Sequence, residues 1–461
     1  MRFKRWVVFT FAFHVLIIVV DKGAGLIVLK IFEDNPDVKG AIDLLAALPF
    51  IMMSMANLGL ATSSVFFLRR EQFDLVEVAE TNSLVALVWG TLLAGVAVLL
   101  SQTLLPALKP DWDFDLAYVV PICLCVPLLL TSSYFNSLQL VLEHIRNYNL
   151  VNLFGSIAFL PLFLLFYFGG SFEGASAAAM SRLVGSAVVC GITLWMLRSV
   201  VRWRPRLHWN FLRAGITYGW KANLTSVLTY LNHRLDLYLV GFLYVHRGGA
   251  TTGFLKPELA EAAFYSQAVT FAELIWHFPE ALRDLFFSKV AGSTHEQARQ
   301  FTPVLSRLCL AVAVVGSLAV WVAVDPFMGL WLPNAWESTW RDTVRPSLLV
   351  LMPGTVAYTV AKILQNDLAA RGHLDQCLQA CFIVLVVMVS LDIALIPRMG
   401  AVGAAWASTV AYWASAIYSL WAYRAHGGAS VMKCLIPRRE DLKYARELYA
   451  AVREKIGGRR A

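Results

Sequence analysis

Apolar runs too long for soluble helices recur along the whole chain, as at Trp6–Val20, Leu84–Leu100 and Val119–Leu130. A bilayer core takes about 20 apolar residues per helix, and lipid offers backbone amides no partner outside their own helix. Charged residues make up only 15% of the 461 residues, against roughly a quarter in soluble domains. No run alternates with the two-residue period of a membrane β-barrel. The implied class is all-α integral membrane. About twelve spans are predicted, at 6–29, 41–68, 80–105, 117–142, 150–168, 174–197, 214–244, 259–288, 308–324, 344–370, 377–395 and 401–423. The run after Met1-Arg2-Phe3-Lys4-Arg5 is too long for a signal peptide and has no small-residue cleavage site, so it reads as a retained first span.

Lys and Arg are unevenly shared between the connectors. One side holds Arg2, Lys4, Arg5, Arg69, Arg70, Arg146, the basic run Arg198–Arg213, Lys289, Arg299, Arg307, Arg371 and the tail from Arg424. The other holds only Lys30, Lys39, Lys109, Arg247, Lys256, Arg341 and Arg398. The positive-inside rule then places both termini in the cytoplasm. The net charge of +8 reads as a topology signal, not as nucleic-acid binding. The tail from Pro437 to Ile456 is predicted as a basic amphipathic helix on the inner leaflet, in contact with membrane lipids.

The halves repeat. Gly174-Ala175-Ser176-Ala177-Ala178-Ala179 matches Gly400-Ala401-Val402-Gly403-Ala404-Ala405 at an offset of 226 residues, and Leu138-Gln139 matches Leu364-Gln365 at the same offset. At 220, Ala61, Phe66, Phe67 and Arg69 match Ala281, Phe286, Phe287 and Lys289. A parallel repeat of six helices puts a substrate path between two lobes. The expected division is an N-lobe at 1–200, a basic linker at 201–213, a C-lobe at 214–425 and a tail at 426–461.

Charges inside spans are costly and usually face a bundle interior or a wet cavity. Lys22, Arg182, Lys221, Arg234 and Lys362 fall within predicted helices, distributed over both halves of the membrane. They are candidates to line a passage for an anion. Asn232, Tyr358, Gln365 and Asn366 stand beside them as polar lining. Structural pairing within the membrane is the competing reading for each. Asp21, and after it Asp236, are candidates for coupling transport to an H⁺ or Na⁺ gradient. Trp331, Trp336 and Trp340, in a predicted connector from Asp325 to Thr343, read as an interfacial aromatic belt. The seven cysteines lack a disulfide framework spacing, and Cys377 and Cys381 read as packing residues. There is no Walker A loop, no Gly-x-Ser-x-Gly elbow and no metal-spaced His cluster. The chain therefore reads as a transporter and not an enzyme, with no cofactor or metal. A membrane glycosyltransferase or polymerase is the rival from another class.

The stretch Leu231-Asn232-His233-Arg234-Leu235-Asp236-Leu237-Tyr238-Leu239-Val240-Gly241 resembles helix seven of the Wzx-type oligosaccharide flippases. These form the polysaccharide-transporter branch of the multidrug/oligosaccharidyl-lipid/polysaccharide (MOP) exporter superfamily. Ala263-Phe264-Tyr265-Ser266 is similar to the family's Gly-x-Tyr-Ser, with Ala263 for Gly. Leu282–Val290 is similar to the end of helix eight, with Ser288 for Pro. The resemblance implies two pseudo-symmetric six-helix lobes in a V, working by alternating access in a bacterial inner membrane. It implies an undecaprenyl-pyrophosphate-linked oligosaccharide as substrate, and a polymerase and a chain-length regulator as partners. A multidrug-extrusion (MATE) antiporter shares the same fold.

Overall fold

The computed structural model describes residues 2–109, 115–170, 172–201, 204–245, 256–277, 295–426 and 430–436. The helices in chain order are α1 (Arg2–Ile31), α2 (Pro36–Ala56), α3 (Leu60–Arg69), α4 (Leu75–Leu108), α5 (Leu116–Val141), α6 (Ile145–Leu164) and α7 (Gly174–Leu197). They continue with α8 (Trp209–Leu243), α9 (Pro257–Glu273), α10 (His295–Trp331), α11 (Arg341–Ala370), α12 (Leu374–Met399), α13 (Ala401–Ala425) and the short α14 (Val431–Leu435). No strand occurs among the described residues. Eight described helical stretches are long and apolar enough to cross a bilayer, from Pro36–Ala56 to Leu374–Met399. Below, the near end of the bundle is the one where α1 begins, and the far end is the one where it stops.

The predicted second helix, 41–68, is two helices. Leu58 and Gly59 adopt φ of 54° and 76° between α2 and α3. This left-handed region is easy only for glycine. A Cβ on Gly59 would lie 2.4 Å from the carbonyl oxygen of Gly219 in α8, and one on Gly219 would lie 2.4 Å from that of Gly59. The break lets the two backbones touch at the near end, where Ser63 Oγ donates to Gly215 O at 2.6 Å.

The far ends of the lobes are joined as tightly. A Cβ on Gly40 of α2 would meet the carbonyl of Leu259 in α9. Trp331 Nε1 donates to Leu26 O at 3.1 Å, and Trp340 Nε1 donates to Glu33 O at 2.9 Å. The expected connector at 325–343 is largely helical instead, with α10 running to Trp331 and a π-turn over Trp336–Trp340 leading into α11. Trp336 and Trp340 are fully buried among Phe264, Val344 and their neighbours. They are core residues and not an aromatic belt at a lipid surface, because their indole rings fill the junction between lobes.

The duplication is visible in packing. α7 lies on α5 and α6, as α13 lies on α11 and α12. Leu138 and Leu364, matched at 226, are both fully buried. The turn closing α5 uses Glu143 at φ 57° with His144 N donating back to Gln139 O; the turn closing α11 uses Gly372 at φ 89° with His373 N donating to Leu368 O. Both are the same C-terminal helix cap. The matched helix openings are also tight: a Cβ on Gly174 would meet Val38 and Phe32, and one on Gly400 would meet Glu261. The partners of the 220-residue match, and the tail predicted as amphipathic, lie outside the described residues.

The Gly59–Gly219 contact makes a direct expectation. Gly59→Ala and Gly219→Ala should each cost roughly 2–3 kcal/mol, seen as a lower melting temperature of the purified protein in detergent. Gly191→Ala, whose Cβ would meet nothing within 4 Å, should leave it unchanged or raise it slightly.

Candidate functional site

The polar residues inside the bundle come together where the lobes meet. Lys22 of α1 and Arg234 of α8 both reach Glu273, the last residue of α9. Lys22 Nζ donates to Glu273 Oε2 at 2.9 Å, and the Arg234 guanidinium lies 3.3 Å from Oε1 and 3.4 Å from Oε2. The Glu273 side chain is only 9% exposed. Removing one partner from a buried pair strands the other charge, at a cost of several kcal/mol. One carboxylate thus ties a helix of the N-lobe to two helices of the C-lobe.

The chain turns directly after Glu273, through Leu274–Trp276. The turn brings Trp276 under Lys362 of α11, whose Nζ stands 4.5 Å from the Trp276 ring and 5.3 Å from that of Tyr358. Trp276, Tyr358, Tyr412 and His233 pack their rings into one cluster, with Tyr358 and Tyr412 stacked at 4.7 Å and His233 at 5.2 Å from Trp276. An ammonium over aromatic faces is attracted by the ring quadrupoles.

Arg182 of α7 lies 4.3 Å over the Phe159 ring, and its Nε is buried without a hydrogen-bond partner among the described residues. Asp21 bonds to Ser156 and feels the charges of Arg182, Lys22 and His277. Four cationic side chains, Lys22, Arg182, Arg234 and Lys362, thus gather around this junction with the carboxylates of Asp21 and Glu273. Lys221 is placed differently: it is paired with Asp375 of α12 at 2.8 Å, with both side chains largely exposed. The predicted lining residues are also divided. Asn232 is fully buried, and its Nδ2 donates to Cys381 O at 3.0 Å, which clips α8 to α12. Gln365 donates to Ser415 and Ser419 of α13 at 3.2 and 3.0 Å. Tyr358 is buried in the ring cluster. Asn366 is half-buried, four residues beyond Lys362 and on the same helical face.

A second polar group lies within the C-lobe. Asp236 of α8 is buried and accepts from Tyr265 Oη at 2.5 Å, from Ser408 Oγ at 3.1 Å and from Leu237 N at 2.8 Å. Asp392 of α12 is 0% exposed, and neither of its carboxylate oxygens has a hydrogen-bond partner among the described residues. The charge of Asp236 acts on Asp392. No cluster of three or more His, Cys, Asp or Glu suited to a metal occurs among the described residues.

Sequence reading missed Glu273, Trp276 and Asp392. Asp392 was open to discovery: it interrupts the apolar run of the predicted span 377–395, and a carboxylate there is a functional candidate by default. Glu273 carried the same signal within 259–288. Trp276 carried none, because its role depends on a lysine from a helix far away in sequence.

No family model matches the chain, and no curated protein matches it. Solved structures do. The fold is similar to that of the lipid II flippase MurJ in an inward closed conformation, with a TM-score of 0.73 at 14% identity over 91% of this chain and 88% of that one. It is similar to an inward-facing multidrug resistance MATE family transporter of the MOP superfamily, with a TM-score of 0.66 at 16% identity over 89% and 94% of the two chains. It also matches a MOP superfamily transporter from Pyrococcus furiosus, at 0.55 and 15% identity over 89% and 95%. That structure is described as having a reverse polarity of the binding pocket that suggests a different function. The chain is therefore a multi-pass membrane protein with the two-lobed fold of the MOP transporters.

Lys22 and Glu273 should be energetically coupled across the lobes. In a double-mutant cycle of Lys22→Gln and Glu273→Gln, thermal unfolding in detergent should give a coupling of about 1–3 kcal/mol. A cycle of Lys221→Gln with Glu273→Gln should give about zero.

Proposed function

We propose that this protein is a MOP-fold flippase, and not an enzyme, that moves a lipid-pyrophosphate-linked oligosaccharide across a bacterial inner membrane by alternating access. The undecaprenyl-linked intermediate of polysaccharide assembly is the substrate this reading names. Both termini face the cytoplasm, and a polymerase and a chain-length regulator are the partners in assembly. The observation that carries the reading is the gathering of Lys22, Arg234 and Lys362 around the Glu273–Trp276 turn at the lobe junction.

A pyrophosphate brings several strong acceptors and more than one negative charge, and charge-assisted bonds to guanidinium and ammonium groups are strong away from bulk water. Glu273 occupies the position such an anion would take between Lys22 and Arg234. A pyrophosphate entering there competes with Glu273 for both cations. It replaces a bond that crosses the lobes with bonds to a ligand, and the lobes can then rearrange. Lys362, held over rings and not by Glu273, adds a further positive charge on the C-lobe side. The lipid II flippase of the same fold makes a lipid-linked substrate reasonable. The MATE neighbours favour a small-molecule antiporter as the second reading, but a site where three cationic side chains gather suits an anion better than a cationic drug.

Coupling to an H⁺ or Na⁺ gradient fits the C-lobe pair better than Asp21. Asp236 and Asp392 are both buried within the C-lobe, and Asp392 has no hydrogen-bond partner among the described residues, so binding a proton or a cation there offsets the cost of a buried carboxylate. Asp21 is exposed and already faces cations.

In proteoliposomes loaded with a pyrophosphate-linked oligosaccharide lipid, Arg234→Ala combined with Lys362→Ala should lower the flipping rate by about 100-fold. Full activity in that variant would sink the pyrophosphate reading. Under imposed ion gradients, Asp392→Asn should flip at a rate that no longer responds to the gradient. A response kept by Asp392→Asn and by Asp236→Asn but lost in Asp21→Asn would move coupling to the N-lobe.

A further inference from the structure

A second concentration of positive charge lies at the near end of the bundle, away from the Glu273 junction. α3 ends in Arg69, and Arg70 follows as its cap. Both are exposed, and neither pairs with a carboxylate among the described residues. They stand at a cavity of about 550 Å³ between α3 and α5. Its wall is apolar on the α3 side at Val65 and Phe66 and on the α5 side at Leu140, with Ser137 below.

The two arginines are not equivalent. The Arg70 guanidinium lies over the Phe66 ring, 4.2 Å from its centroid. This contact restrains the guanidinium, and its five N–H donors match phosphate oxygens. Arg69 adds a second charge one residue away. Exposed arginines at the end of a membrane helix ordinarily serve topology, snorkelling into water. A topological arginine needs neither a cavity nor a ring that holds it in place.

We propose that this cavity binds a phosphate group carried by a membrane lipid, with Arg69 and Arg70 on the phosphate oxygens and Val65, Phe66 and Leu140 against the adjoining carbon chain. A guanidinium fork matches phosphate geometry, and the apolar wall suits the glycerol and first methylenes of an amphiphile. The location adds a consequence. Phe66 also stacks on Tyr218 of α8, with centroids 3.9 Å apart and planes 20° apart. That stack is part of the contact between the lobes, beside the Gly59–Gly219 approach. A headgroup that orders Arg70 and Phe66 therefore favours the arrangement in which α3 and α8 touch. By linkage, that arrangement binds the headgroup more tightly. The site stands independently of the transported substrate, since it is read by binding and not by flipping.

The test uses the purified full-length protein, delipidated in a neutral detergent, and native mass spectrometry with phosphatidylglycerol against phosphatidylcholine. Phosphatidylglycerol should be retained preferentially, and Arg69→Gln combined with Arg70→Gln should weaken it by about tenfold or more. Arg198→Gln, a near-end arginine stacked on Trp195 and outside this cavity, should bind as wild type does. Equal thermal stability of the three proteins without lipid shows that folding is intact. Sodium pyrophosphate as a competitor separates the sources. Displacement at millimolar concentration means that the phosphate alone is recognised, and no displacement means that the attached chain is needed; either result supports the site when the double variant has lost binding. Phosphatidylglycerol bound equally by the double variant and wild type, or no preference over phosphatidylcholine in wild type, would overturn the proposal.

Discussion

A single carboxylate, Glu273, holds cations from both lobes, and much of the architecture serves to bring these groups within reach. Lys22 must come from α1, Arg234 from α8 and the acid from the last turn of α9. In water, such an arrangement contributes little, because solvent screens it and side-chain entropy opposes it. Inside a helical bundle the charges have few alternatives to one another, so each constrains the position of the helix that carries it. The glycine contacts at both ends of the junction set the distance. Gly40 lets α2 lie directly on the backbone at Leu259, and Gly59 lets the chain pass Gly219. With a larger residue at either place, α2 and α3 would stand off from the C-lobe and α1 would move with them.

The two polar groups of the C-lobe differ in physical character. Around Glu273, two cations share one carboxylate and remain partly exposed, which suits exchange of one anion for another. Around Asp236, hydrogen bonds from Tyr265 and Ser408 hold the acid in place, while Asp392 lies buried without such support. Binding free energy at one group can be felt at the other through α8, which carries both Arg234 and Asp236, because a helix moves as a rigid element. If the proposed substrate and coupling ion act at these two groups, one helix is the route between them.

The repeat gives the lobes a common plan, and function uses the differences. α5 and α11 end in the same type of cap, and α7 and α13 pack on equivalent neighbours. The matched glutamines have diverged. Gln365 bonds to two serines of α13, whereas Gln139 is fully buried and its amide has no hydrogen-bond partner among the described residues. The buried acids Asp236 and Asp392 belong to the C-lobe, whereas in the N-lobe the half-buried Arg182 rests on the Phe159 ring. Duplicated folds keep the backbone pattern because packing demands it, and polar side chains are free to differ wherever one lobe has taken up a task of its own.

Sequence by itself determined the class of the protein, the approximate run of the helices and the duplication. These follow from local rules: lipid requires apolar helices of a certain length, and a repeat is a comparison of the chain with itself. It also picked out the charges within apolar runs, because a charge there is conspicuous. What it could not supply was their partners. Lys22 and Glu273 are 251 residues apart, and no periodicity links them. Lys221 and Lys362 look alike in sequence, yet one pairs with Asp375 at an exposed position while the other rests on Trp276 and Tyr358. Trp336 and Trp340 look like surface tryptophans until the lobes close over them. Helix formation is governed by neighbours in the chain, and the sequence records it directly. Which charges face one another is governed by how the helices pack, and only the tertiary structure decides that.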